Sequence, residues 1–247
     1  MKRLVNVILV LVILVLLALG LRDVFGYVKV NKENTSLREL AVKIPREGQG
    51  IDPNDPFYRM IDFEQLQSIN PEIVGWIYVP GTGIDYPVLV GDTDTEYLRM
   101  DYNGAYSIYG TIFGFADADI VFDEHVCLFG HNTTNGLMFG DVRNYLNQDW
   151  ANEHTKMYFY TPERVKECTF FSAFTCYMND ELFSAMSLSS DELEELVSSV
   201  KSRSVVTVEN MPTDAGQVYT LSTCNGFNTP YRCLSNFLVT RERYVLE

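Results

Sequence analysis

Apolar positions change their spacing three times along the chain, and each change predicts a different kind of element. From Leu4 to Leu21 they run almost unbroken, with only Asn6 and Gly20 intervening, over a stretch about 27 Å long as a helix, just enough to cross a bilayer core. Lys2 and Arg3 precede the run, which by the positive-inside rule leaves the N-terminus cytoplasmic and everything after Arg22 outside. A cleaved signal peptide is the competing reading, because Ala18-Leu19-Gly20 resembles a small-residue cleavage site; the run is longer than the usual ~7–15-residue signal core, which favours a retained anchor. Asn31 to Asp55 is polar and carries Pro45, Gly48, Gly50 and Pro53, the composition of a tether, within which "TSLRELAVK" has the makings of a short helix. The expected boundaries are a cytoplasmic tip and anchor over 1–25, an extracytoplasmic tether over 26–56 and a main domain over 57–247. Ile61, Phe63, Leu66 and Ile69 then recur at helical spacing, which predicts a helix from Phe57 to Ile69 ended by Asn70-Pro71.

After Pro71 the period shortens. Runs rich in Val, Ile, Tyr and Phe alternate with Gly, Pro, Asn and Asp: "VGWIYVP", "YPVLVG", "GTIFGF", "VCLFGH", "KMYFYT", "CTFFSAFTCY", "SVVTVE", "VYTLSTC" and "CLSNFLVTRERY". Strands at this spacing, without a βαβ rhythm, predict a mainly β domain, a sandwich or a barrel. Two helical inserts interrupt them. Phe139 to Trp150 carries Val142, Tyr145 and Leu146 at helical spacing, and "SLSSDELEELVSSVKS" puts Leu193, Leu196, Val197 and Val200 on one face behind a Ser189–Glu192 capping box, with Lys201 near its end. There is no internal repeat and no low-complexity segment.

Composition narrows the function classes. The net charge is −14, from 33 acidic and 19 basic residues, so the electrostatic footprint of a nucleic-acid binder is missing, and the acidity reads as a solvated surface. Five cysteines in an exported domain leave at least one thiol outside any disulfide framework. Their positions contain no CxxC pair, which argues against a zinc ribbon or a thioredoxin-like redox motif.

The chemistry-bearing residues are few. Of three histidines, His131 sits in "HVCLFGHNTTNGLMF", directly after an apolar strand and at the head of a Gly/Asn/Thr loop, well placed to project into a cleft; the alternative is a surface loop histidine. His125 begins the same strand and shares a face with Cys127, so a metal site of His125, Cys127 and Cys224 is conceivable, but no second ligand pair has metal-like spacing. His154, in "WANEHTKMY", reads as a surface or capping histidine. Cys224 ends a strand in which Tyr219, Leu221 and Thr223 alternate with Thr220, Ser222 and Cys224. A buried structural cysteine is the ordinary reading of a lone thiol, but a strand end supplies the reach and exposure that reactivity requires. Arg232 opens the next strand, with Leu234, Asn236 and Leu238 on its side and Cys233, Ser235 and Phe237 on the other; antiparallel pairing would stand its guanidinium beside the thiol, where it could serve an oxyanion, against the alternative of a plain surface arginine. Ser222, Thr223 and Asn225 flank the cysteine and are the candidate substrate contacts.

At this point the residues resemble a known family. "TLSTC" is similar to the TLxTC signature of sortases, the membrane-anchored cysteine transpeptidases of Gram-positive bacteria. "NPEIVGWIYVPGTGIDYPVLVGDTDTEYL" resembles the family's N-terminal barrel region, and "LFGHNTTNGLMFGDVRNYLNQDWANEH" resembles the segment around its catalytic histidine in class B members, so the resemblance spans about residues 57–247. It implies a sortase-type eight-stranded β-barrel with N-terminal helices and a long helix before the cysteine strand, preceded by one transmembrane helix. It also implies Cys224 as nucleophile, His131 as general acid/base and Arg232 as oxyanion or substrate stabiliser, with no metal or cofactor. The implied partners are surface proteins bearing a C-terminal sorting signal, a peptidoglycan precursor or cross-bridge amine, and the membrane through the N-terminal helix. Asn225 stands where some class B members carry an acidic residue, and Cys233 has no role in the pattern. A hydrolysis-only cysteine peptidase and a non-catalytic wall-binding module are the readings from other classes; an added amine and the reactivity of Cys224 discriminate them.

Overall fold

The computed structural model describes residues 2–43, 52, 54–209, 216–226 and 229–245. Residues 1–40 form one compact unit and residues 41–247 another. The first unit is helix α1 (Lys2–Ala41) up to its last turn. Among the described residues α1 is the one helix long and apolar enough, by length and composition, to cross a membrane. It does not stop at Leu21 but continues through the first part of the expected tether; the breakers Pro45, Gly48, Gly50 and Pro53 lie outside the described residues.

In the second unit β1 (Val42–Lys43) and β2 (Met60–Ile61) pair antiparallel ahead of α2 (Phe63–Ile69). The helix expected over 57–69 is therefore shorter. Asp62 accepts from the Gln65 N–H at 3.0 Å and starts the helix there, while Arg59 is extended and reaches Asp85 at 2.9 Å. Eight strands follow: β3 (Ile73–Tyr78), β4 (Asp85–Leu89), β5 (Ile112–Gly114), β6 (His125–Phe129), β7 (Lys156–Tyr160), β8 (Arg164–Tyr177), β9 (Val218–Cys224) and β10 (Tyr231–Tyr244). They close a barrel in the order β10-β8-β7-β3-β4-β5-β6-β9, which leaves no free edge. The pairs β4–β5 and β6–β9 are parallel and the rest antiparallel. "SVVTVE" is not a strand: the Gln148 side chain takes both the N–H and the C=O of Thr207 at 2.8 Å, in place of a ladder neighbour.

The insert expected over 139–150 divides into a 3₁₀ turn (Val142–Leu146) and α3 (Gln148–Glu153), because the Asn147 side chain accepts from Asp149 N and Trp150 N and begins a new helix. Helix α4 (Ser190–Ser202) carries the capping box read from Ser189 and Glu192. Its Leu193 and Val200 are buried and Leu196 and Val197 partly so, against Phe171, Phe174, Leu234 and Leu238 of β8 and β10; each full burial contributes about 1.5–3 kcal/mol. The fork of Arg203 pairs with both oxygens of Asp180 at 3.1 and 2.6 Å, pinning the end of α4. Strands β8, β9 and β10 are thus backed by a packed helix, β9 through Val218.

Candidate active site

Strand β9 lies between β6 and β10, and its register with both neighbours builds the site. Arg232 pairs directly with Cys224, and on its other side with Cys176 of β8. Directly opposed residues share a face, so the guanidinium root stands beside the thiol. On the parallel side Phe129 pairs with Ser222, Gly130 N–H donates to Ser222 O at 3.2 Å, and the Thr223 hydroxyl donates to Gly130 O at 2.8 Å. The chain therefore reaches His131 level with Cys224. Asn132 ties the two together, its Nδ2 donating to Cys224 O at 2.7 Å. Gly130 admits no side chain: a Cβ there would sit 2.6 Å from Ile112 Cδ1 and 2.8 Å from the Phe139 ring.

Solvation separates the thiols. None forms a disulfide; Cys127, Cys168, Cys176 and Cys233 are buried, and Cys224 is the half-exposed one. Burial pushes the Cys127 and Cys168 thiols far up and those of Cys176 and Cys233 up to about 11. His131 is half-buried, and its Nε2 donates to Leu98 O at 2.8 Å. Burial is the main cause that lowers its pKa, the Leu98 carbonyl opposes the shift, and the Arg99 charge adds to it. Arg232 rests on its own turn, with Nη1 3.3 Å from both Thr229 O and Tyr231 O.

Of the expected substrate contacts, Asn225 lines an open cleft, whereas Ser222 and Thr223 are 1% and 2% exposed. The Ser222 hydroxyl has no hydrogen-bond partner among the described residues. The cleft, about 620 Å³, runs from Asn132 and Asn225 along the loop and the 3₁₀ turn that follow His131, past Asp141, Arg143, Asn144 and Asn147. Asn132 and Arg143 escaped the sequence reading. Asn132 follows the histidine directly, which is the one signal that could have found it; Arg143 sits in a stretch whose spacing marked only a helix.

His125 is not part of this site. It is 0% exposed; its Nε2 meets Thr220 Oγ1 at 2.8 Å and its Nδ1 meets Ala185 O at 2.5 Å, and burial lowers its pKa to about 4. Cys127 is 3.7 Å from it, as the shared face predicts. Cys127 pairs with Thr220, four residues before Cys224 and so roughly 13 Å down the strand, which separates the proposed metal ligands. Among the described residues no three His, Cys, Asp or Glu side chains cluster to hold a metal. His154 caps α3, its Nδ1 2.9 Å from Trp150 O and its ring stacked on Trp150.

No protein-family profile matches the chain. It is 26% identical to sortase B of Staphylococcus aureus over 225 residues, 91% of each chain. It is 27% identical to sortase B of Listeria monocytogenes over 165 residues, 66% of this chain and 67% of that one. Among solved structures, the sortase B–substrate complex of Staphylococcus aureus aligns at a TM-score of 0.66 with 27% identity, over 72% of this chain and 85% of that one. Sortase B of Bacillus anthracis in complex with AAEK1 shares the fold at a TM-score of 0.73 with 24% identity, over 88% and 99%. The TLSTC strand, the closed barrel and a relative aligned over 91% of the chain support a class B-like sortase, a cysteine transpeptidase.

Proposed function

We propose that this sortase is held in the cell membrane by residues 1–25, N-terminus cytoplasmic, with 26–56 as the spacer and 57–247 as the extracytoplasmic catalytic domain. There it cleaves the C-terminal sorting signal of surface proteins and joins the new carboxyl end to a cell-wall amine. The observation that carries this reading is the row across the barrel mouth: the one half-exposed thiol, Cys224, stands in register with Arg232 on one side and level with His131 on the other.

The Cys224 thiolate attacks the carbonyl carbon of the scissile peptide, forming a C–S bond and a tetrahedral oxyanion. Arg232 donates to that oxyanion; its two 3.3 Å bonds to turn carbonyls are long, so they release the fork at small cost. The C–N bond breaks as His131 gives a proton to the leaving amine, and a thioester remains. The acceptor amine then attacks the thioester carbonyl, His131 takes the amine's proton, and the thiolate departs. Asn225 contacts the substrate from the cleft wall. Ser222 and Thr223 serve the same site from beneath, Thr223 by fixing the Gly130 turn that carries His131. Burial lowers the pKa of His131 and so disfavours its imidazolium.

The test is incubation of the full chain in detergent with a panel of sorting-signal peptides, with and without an added amine. The reading predicts one preferred peptide, and an amide-linked product formed at the expense of hydrolysis when the amine is present. Hydrolysis indifferent to amine would make the protein a peptidase instead.

A further inference from the structure

The cleft beside Cys224 is lined by one carboxylate, Asp141, and one guanidinium, Arg143. Asp141 is committed, its Oδ2 accepting from Gly83 N at 2.9 Å and its Oδ1 from Asn144 Nδ2 at 3.2 Å. Arg143 is not: among the described residues its guanidinium has neither a hydrogen bond nor an ion pair. Arg59, Arg164 and Arg203 find carboxylates, and Arg99, Arg232 and Arg243 bond main-chain carbonyls instead. Its backbone, by contrast, is fixed. Val142 and Tyr145 on either side are buried, Val142 O accepts from the Ser235 hydroxyl at 3.1 Å, and the Tyr145 hydroxyl donates to His154 O at 2.8 Å. A planar, five-donor group therefore stands on a rigid base in a cleft whose lining includes the amides of Asn132, Asn144, Asn147 and Asn225 beside Asp141.

We propose that this cleft is the acceptor subsite and that Arg143 binds a carboxylate carried by the amine nucleophile. The proposal rests on Cys224 and His131 acting as described above. An acceptor amine must surrender its proton to His131, and the cleft begins at the residues next to the pair, Asn132 after the histidine and Asn225 after the cysteine, with Asn132 Nδ2 donating to Cys224 O. The guanidinium fork matches a carboxylate bidentately, and the neighbouring Asp141 disfavours a multiply charged phosphate. The ring of side-chain amides suits peptide-like groups between amine and carboxylate. The acceptor class is thus an amino-acid or peptide amine with its carboxylate free, in preference to an amidated or neutral one.

The experiment compares acceptors in matched pairs, Nα-acetyl-lysine and glycylglycine each against its C-terminal amide, with wild type and Arg143→Gln as full chains in detergent. Wild type should show an acceptor KM about fivefold to tenfold lower for the carboxylate member, the scale of one solvent-screened charge-assisted hydrogen bond. Arg143→Gln should erase that preference. A second arm measures binding of the same pairs to Cys224→Ala by NMR, with and without Arg143→Gln. An Arg143-dependent preference in binding without any transfer product would sink the transpeptidase reading and keep the subsite. Amine-dependent transfer with no carboxylate preference, or an Arg143→Gln variant whose sorting-peptide KM rises instead, would overturn the subsite; the second result would assign the cleft to the sorting signal.

Discussion

The parallel pair β6–β9 carries a histidine and a thiol at each end, and the two ends are opposites. At the start of β6, His125 and Cys127 approach to 3.7 Å, yet both are buried, and His125 has a partner on each ring nitrogen. At the far end, Cys224 closes β9 and His131 follows the end of β6 by two residues, both half-exposed, with Arg232 beside the thiol and a cleft alongside. Proximity of imidazole and sulfur is thus not what makes a nucleophile. Burial holds the Cys127 thiol far above the range in which a thiolate forms and holds His125 neutral, so the pair cannot exchange a proton usefully. The open end gives up packing in return for groups that can change charge.

The largest effect that can break this comparison is on the histidines. His131→Ala should lower kcat/KM on a sorting-signal peptide by on the order of 10²–10⁴-fold, the usual worth of a general acid/base; His125→Ala, measured where it is folded, should keep the wild-type pH profile. Equal losses from the two variants would show that the ends are not distinct in function. Next comes Arg232→Lys, which keeps the charge and loses the fork. It should cost on the order of 2–4 kcal/mol in kcat/KM, and near-normal kinetics would mean that charge alone suffices.

The buried end makes its own prediction, in stability. His125 has a folded pKa of about 4 against about 6.5 unfolded, so the unfolded state binds the extra proton between those values. Stability should therefore be full above about pH 6.5 and fall by up to about 3 kcal/mol as pH drops through 4; chemical denaturation across that window checks it, and a flat profile from a residue-125 variant should accompany it. The smallest effect concerns Arg99, whose charge disfavours the His131 imidazolium. Arg99→Gln should move the acid limb of the kcat/KM profile upward and leave its alkaline limb in place.

Much of the barrel was legible because strand alternation is a local signal. "VYTLSTC" forms β9 over Val218–Cys224, and the Ser189–Glu192 box starts α4 as read. "SVVTVE" has the same local signal but lies where Gln148, distant in sequence, supplies its hydrogen bonds, so alternation alone misleads there. The helix over 57–69 was overextended because apolar spacing does not show that Asp62 prefers to cap. At the site, Cys224, His131 and Arg232 were legible as strand ends flanked by turn residues; the burial of Ser222 and Thr223 was not, since it depends on the pairing of β9 with β6, which is distant in sequence, and with β10, which is set by register. Arg143 was invisible for a related reason: a cation is conspicuous only once the groups around it, Asp141 included, are known to be bonded elsewhere.

The most direct test of the central claim is the intact mass of the full chain mixed with its preferred sorting-signal peptide in the absence of amine, followed by peptide mapping. A thioester between the peptide's new carboxyl end and Cys224 is predicted, present in wild type, lost in Cys224→Ala, and discharged by an added amine. An acyl group on Cys127, Cys168, Cys176 or Cys233, or undiminished cleavage by Cys224→Ala, would contradict the account.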